Sequence, residues 1–141
     1  MGGAGIRIGY VIGSEELIER LGKWRLMYEV NQVGIKYAVY ILDHMDEVKE
    51  YAENTKNERE LLLKLISEAG YDFVSSHGNW IHFHCKENNR KAIETLKNSK
   101  VLFKSNTHVP FDNRSDWIRL TVGPGLSEAP YMKKIIKGDF E

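Results

Sequence analysis

His82 and His84 stand two residues apart, with His77 and Cys85 close by, a grouping whose imidazole nitrogens and thiolate sulfur could ligate a transition metal. Alternation along an extended segment, however, puts His82 and His84 on one face with Trp80 and leaves Cys85 on the other, and no further ligand motif of recognised spacing follows. No metal is expected. The run Gly2-Gly3-Ala4-Gly5 has the composition of a phosphate-cradling loop, but it lacks a Gly-Lys-Ser/Thr ending and precedes an apolar alternating stretch instead of following one. Two arginines sit inside such stretches, in Ile6-Arg7-Ile8 and Ile118-Arg119-Leu120. Taken alone, an arginine on a strand is a solvated or structural charge. Asn31 has the chemistry of a helix cap for a segment starting at Gln32, and Lys104 reads as a surface lysine.

The elements that must position these groups follow from apolar spacing. Ile6, Ile8, Tyr10 and Ile12 alternate and predict a short strand. Ser14 can cap a helix with Glu15 and Glu16 in its first turn, Leu17, Ile18, Leu21 and Trp24 along its apolar stripe, and Gly22 weakening its end. Ile35, Val39 and Leu42 recur at helical spacing, and a longer stripe from Val48 through Leu62, Leu65 and Ile66 to Ala69 predicts a second helix, with a bend at 43–46 between them. Gly70 supplies the stop. Beyond it the pattern changes to strands over 73–75, 80–85, 101–104 and 117–122, a helix over 88–96 and a last helix over about 127–137. Ile81, Phe83 and Cys85 share one face, as do Ile118, Leu120 and Val122, so an α+β arrangement with a small sheet buried on one side by helices is expected. The polar stretch 105–116 reads as an exposed loop bordering the site.

Composition narrows the classes. A chain of 141 residues with 42% hydrophobic content can build one core. Lys plus Arg equals Asp plus Glu at 20 each, so the chain as a whole encodes no attraction to nucleic acid or to an anionic membrane. A single cysteine excludes an intrachain disulfide and fits a reducing compartment, and no apolar run is long enough to span a bilayer or forms a leader. A cytoplasmic protein is expected.

Several motifs in order then carry a resemblance. Gly2-Gly3-Ala4-Gly5-Ile6-Arg7-Ile8-Gly9-Tyr10 resembles the strand that follows the cofactor-binding lysine in class I and II aminotransferases, pyridoxal-phosphate enzymes of fold type I, and most closely their histidinol-phosphate branch. Ile12-Gly13-Ser14-Glu15-Glu16-Leu17-Ile18-Glu19 is similar to the Gly-Ser turn and Glu-Leu-Ile helix that come next. Lys23-Trp24-Arg25-Leu26-Met27-Tyr28-Glu29-Val30-Asn31 resembles a Lys-x-Arg-x-Pro-Tyr-x-x-Asn stretch, with Met27 in place of the proline. Gly78-Asn79-Trp80-Ile81-His82-Phe83 and Trp117-Ile118-Arg119-Leu120-Thr121-Val122-Gly123 resemble two later strands of the same family.

The resemblance implies the C-terminal portion of such an enzyme: residues 1–31 as a remnant of the large cofactor-binding domain with one leftover strand, and 32–141 as the long connecting helix and the small domain, an antiparallel-rich sheet covered by helices. It implies that Arg7 binds the phosphate of pyridoxal 5'-phosphate, that Arg119 binds the carboxylate or phosphate of an amino-acid or amino-phosphate substrate, and that Asn31 and Tyr28 lie on the substrate side. Aligned on Arg7, the Schiff-base lysine falls two positions before Met1. The chain therefore holds no catalytic residue by this reading, and by itself it is expected to be inactive and not to bind the cofactor. The intact enzyme is expected to be a homodimer moving an amino group between an amino donor and a 2-oxo acid acceptor. The alternatives are a stand-alone, non-catalytic interaction or oligomerisation module, or a pyridoxal-phosphate-dependent decarboxylase or lyase of the same fold.

Overall fold

The computed structural model describes residues 3–25 and 30–140. They form two compact units, Met1–Tyr51 and Ala52–Glu141.

The first unit opens with a 3-10 turn, Gly3–Ile6, after which Arg7 adopts a left-handed conformation at φ 58°. Here the structure corrects the sequence reading: residues 7–14 form no strand. A strand is completed by ladder partners, and all four strands among the described residues lie between 72 and 121. Helix α1 spans Glu15–Gly22, and the Ser14 hydroxyl accepts from the Leu17 N–H at 3.4 Å, as its cap chemistry predicts. Its apolar stripe forms but stays uncovered, with Trp24 just beyond the helix 86% exposed. Helix α2 spans Gln32–Asp43 and breaks at His44, inside the expected bend. The His44 ring stacks on Tyr40 at 4.0 Å, and its Nδ1 lies 2.8 Å from the Tyr40 carbonyl.

Helix α3, Met45–Glu68, continues past Tyr51 into the second unit and ends at Gly70. Gly70 takes φ 74°, its N–H donates to the Ser67 carbonyl, and the Tyr71 N–H donates to the Ile66 carbonyl. These two bonds satisfy carbonyls that the helix end would leave open. Strands β1 (Asp72–Val74), β2 (Trp80–His84), β3 (Phe103–Thr107) and β4 (Trp117–Thr121) then build an antiparallel sheet in the order β1-β2-β4-β3. Helix α4 spans Asn89–Asn98 and α5 spans Pro130–Lys137. Leu62 and Ile66 of α3, Ala92 and Leu96 of α4, and Met132 and Ile135 of α5 bury one sheet face, where Ile81, Phe83 and Ile118 are fully buried and Leu120 and Val122 nearly so. That is the α+β small domain the sequence predicts.

Most boundaries shift by one or two residues, and two of the differences have a local reason. β3 starts at Phe103 and not at Val101, because the Val101 N–H donates to the Leu96 carbonyl and so belongs to the closing turn of α4, with Lys100 at φ 56°. The last helix divides into a turn over Leu126–Glu128 and α5, since Pro130 has no N–H to give and suits a first helical position. The stretch 105–116 is also less loop-like than expected: β3 runs to Thr107, and Val109 is buried.

Candidate functional site

Arg7 and Asn31 are brought together within the first unit. The Asn31 Oδ1 accepts from the Gly34 N–H at 2.6 Å and caps α2, while its Nδ2 donates to the Ile6 carbonyl at 3.2 Å. One side chain thus ties the start of α2 to the residue preceding Arg7. Gly34 permits this approach, since a Cβ there would lie 3.1 Å from Ile6 and 3.3 Å from Asn31. The Arg7 guanidinium is exposed and has no hydrogen-bond or ion-pair partner among the described residues. A free planar fork of donors fits a phosphate group. Tyr28 lies outside the described residues.

Arg119 sits in the second unit at the centre of the sheet, on the face opposite the helices. Strand register places it directly across from His82 of β2 on one side and Lys104 of β3 on the other. Its guanidinium carbon stands 6.0 Å from the centre of the Trp80 ring, an orientation that favours a cation over the π face. It borders a pocket of about 240 Å³ lined also by Leu102, Phe103, Lys104 and Thr121. Burial, followed by the Arg119 charge, lowers the His82 pKa from its ordinary value.

Sequence reasoning missed a polar cluster farther along the same face. Arg114 donates to Asp72 at 2.8 Å, to both carboxylate oxygens of Asp112, and toward the His84 Nδ1 at 3.1 Å, and its guanidinium lies 5.0 Å from the Trp117 ring centre. The Lys86 N–H donates to the same His84 Nδ1, which assigns the ring proton to Nε2, the nitrogen 3.1 Å from Asp116. Buried Asn89 completes the set, accepting from the Cys85 N–H and donating to the Asp116 carbonyl. Hydrogen bonds from Arg114 hold the Asp112 carboxyl well below the usual range and lower Asp72 as well. The Trp117 Nε1–H, buried without a hydrogen bond of acceptable geometry, is close enough to Asp112 to add to that lowering. Burial would raise Asp116, but its bonds to His84 and Asn89 outweigh that effect. These groups consume one another's hydrogen-bonding capacity, so the cluster fastens residues 108–116 to the sheet. The only local signal was the run of charged and amide residues that the loop reading absorbed.

Among the described residues no three His, Cys, Asp or Glu side chains come together as metal ligands. Cys85 is 1% exposed, and burial pushes its thiol up to about 12, which makes it unreactive in the folded state. Among the described residues no helix is long and apolar enough to cross a membrane.

The sequence that builds these elements matches one family along most of its length. The profile described as aminotransferase class I and II covers residues 1–135, and the chain belongs to that family, whose members generally depend on pyridoxal phosphate. Within the family it is similar to histidinol-phosphate aminotransferases: 30% identical over 130 residues to that of Thermotoga neapolitana, covering 92% of this chain and 36% of the relative. The match to the Caldicellulosiruptor saccharolyticus protein is 30% over 134 residues, 94% and 36% of the two chains. A Leptospira interrogans relative is 33% identical over 90 residues, 64% of this chain and 24% of its own. The chain therefore spans about 36% of the length of the first two relatives.

Proposed function

We propose that these 141 residues are the C-terminal share of a pyridoxal-phosphate-dependent aminotransferase of histidinol-phosphate type, which moves an amino group from an amino acid or amino-phosphate to a 2-oxo acid. Residues 1–31 would belong with the large cofactor-binding domain and 32–141 would supply the connecting helix and small domain. The observation that carries the reading is Arg119, a half-buried cation in mid-sheet without a carboxylate partner among the described residues. Burying part of a charge is costly unless something compensates it, and an anionic substrate group does so.

The bound cofactor would supply the electron-withdrawing ring that makes amino-group exchange possible. Arg7 would hold its phosphate, Arg119 would hold the substrate's anionic end, and Asn31, with Tyr28, would shape the substrate side while keeping Arg7 in place. The motif position for the cofactor-anchoring lysine is not among these residues, so the isolated chain would neither retain the cofactor nor turn over. The active form would be a cytoplasmic homodimer.

In the whole enzyme, Arg119→Gln is expected to raise the KM for the amino substrate about 100-fold, as loss of a charge-assisted pair worth roughly 3 kcal/mol would do. An unchanged KM removes Arg119 from the site. Saturable transamination by the isolated 141-residue chain with added cofactor would overturn the assignment of catalysis to residues outside it. Product analysis of the whole enzyme separates transamination from decarboxylation or elimination on the same fold. A stand-alone association module is the second reading, favoured by the bare apolar side chains of Tyr10, Ile12 and Trp24. Sedimentation showing a strict monomer at all concentrations would end it.

A further inference from the structure

His82, Arg119 and Lys104 are direct cross-strand neighbours on the open face of the sheet. Side chains opposed in this way have Cβ atoms about 5 Å apart, and like charges so placed repel. Several cations elsewhere are paired: Arg20 with Glu16, Lys56 with Glu53, Arg90 with Glu94, Lys133 with Glu128, and Arg114 with Asp72 and Asp112. No described carboxylate lies within ion-pair distance of any member of this row. The surroundings of His82 confirm that nothing in the sheet neutralises it. On β1 it meets Val74; on β4 it meets Arg119, with Lys104 of β3 beyond. On β2 itself Trp80 and His84 share its face, and the acids around His84 are engaged, Asp116 with His84 and Asp72 with Arg114.

We propose that His82 is a specificity residue of the Arg119 anion site: when protonated it adds a cation beside the guanidinium, on the side opposite Lys104, so that the site favours a doubly charged end group over a singly charged one. The proposal rests on the reading of Arg119 as the substrate's anion ligand. Its sign follows from linkage. An anion on Arg119 offsets the charge that helps keep His82 deprotonated, so binding raises the His82 midpoint. Anion affinity then grows as pH falls through the bound-state midpoint and levels off below the free-state one. Each unit by which binding lifts the midpoint is about a tenfold gain in affinity.

Sulfate and methanesulfonate test this, because they carry two charges and one charge respectively from about pH 5 to about pH 8, the range in which a histidine titrates. The His82 ring resonance of the 141-residue chain, assigned by its loss in His82→Gln, is followed through pH titrations with each anion at constant ionic strength. Saturating sulfate is expected to raise the His82 midpoint by about one unit, methanesulfonate by less, with sulfate affinity about tenfold higher at the acid end. His82→Gln should still bind sulfate but lose the pH dependence and part of the parent's acid-end preference for the dianion, leaving what Arg119 and Lys104 provide. A His82 midpoint indifferent to saturating sulfate, measured without any substitution, overturns the proposal; so does a His82→Gln chain that keeps the parent's preference. Arg119→Gln separates the two ideas. If it abolishes sulfate binding while His82 never responds, the Arg119 site stands and the His82 role falls; if it binds sulfate as the parent does, the Arg119 reading falls. A chain whose sheet-face resonances ignore both anions removes both.

Discussion

The two units invert each other's burial. In the first, Gly34 is the one buried residue among those described, while Tyr10 and Ile12 are exposed to 85% and 87%. In the second, twelve residues from Leu62 to Ile135 form a core in which most side chains are wholly shielded from solvent. Apolar residues are plentiful in both, so composition does not separate them; the availability of a facing layer does. The sheet of the second unit offers helices α3, α4 and α5 a surface to cover, whereas the described residues of the first unit include no sheet. The first unit is therefore held by local devices such as the Ser14 and Asn31 caps, and the second by packing.

The strongest test of that contrast is Phe83→Ala, which should cost about 3–5 kcal/mol in urea unfolding of the chain. Gly70→Ala, which forces a Cβ into φ 74° at the end of α3, should cost about 1–2 kcal/mol in the same unit. Acid should act on the second unit through the Arg114 cluster. Asp72, Asp112 and Asp116 have lowered pKa values, so the stability they contribute is complete above the ordinary carboxylate range and is lost as pH falls through their folded values. Arg114→Gln should flatten that acid limb, and an unaltered limb would mean that the cluster adds nothing. In the first unit Asn31→Ala should remove about 1 kcal/mol of helix stability, seen as lost ellipticity, whereas Asn31→Asp should keep the cap. Smallest of all, Trp24→Ala should change stability by no more than about 0.5 kcal/mol. A cost for Trp24→Ala rivalling that of Phe83→Ala would break the comparison and show that the first unit is covered in solution.

Much of the second unit was legible because burial imposes period-two patterns there. Ile81, Phe83 and Cys85, like Ile118, Leu120 and Val122, announce which face is covered, and Gly70 marks the helix end by its chemistry. The same alternation in Ile6, Ile8, Tyr10 and Ile12 misled, because a pattern records the face a segment can bury and not whether a partner strand stands beside it. Val101 misled differently: its bond back to Leu96 is a demand of the helix end that outranks its own β propensity. As candidates for binding an anion, Arg7 and Arg119 are legible only through motif order, since a lone arginine carries no signal of its own. The Arg114 cluster was invisible because Asp72, His84 and Asp112 are distant in sequence and meet only once the sheet exists.

The strand order carries a kinetic consequence. β1 with β2 and β3 with β4 are neighbours in the chain and can zip as local hairpins, but β2 and β4 are joined in space across α4 and β3. Closing that seam costs loop entropy before any contact repays it, so it should be a late and cooperative event. The seam is also where His82 meets Arg119. The proposed anion site would thus not be a feature that partly folded chains possess in reduced form. It would come into being only when β2 and β4 join, so a ligand for it would bind only molecules that have finished folding and would slow their unfolding.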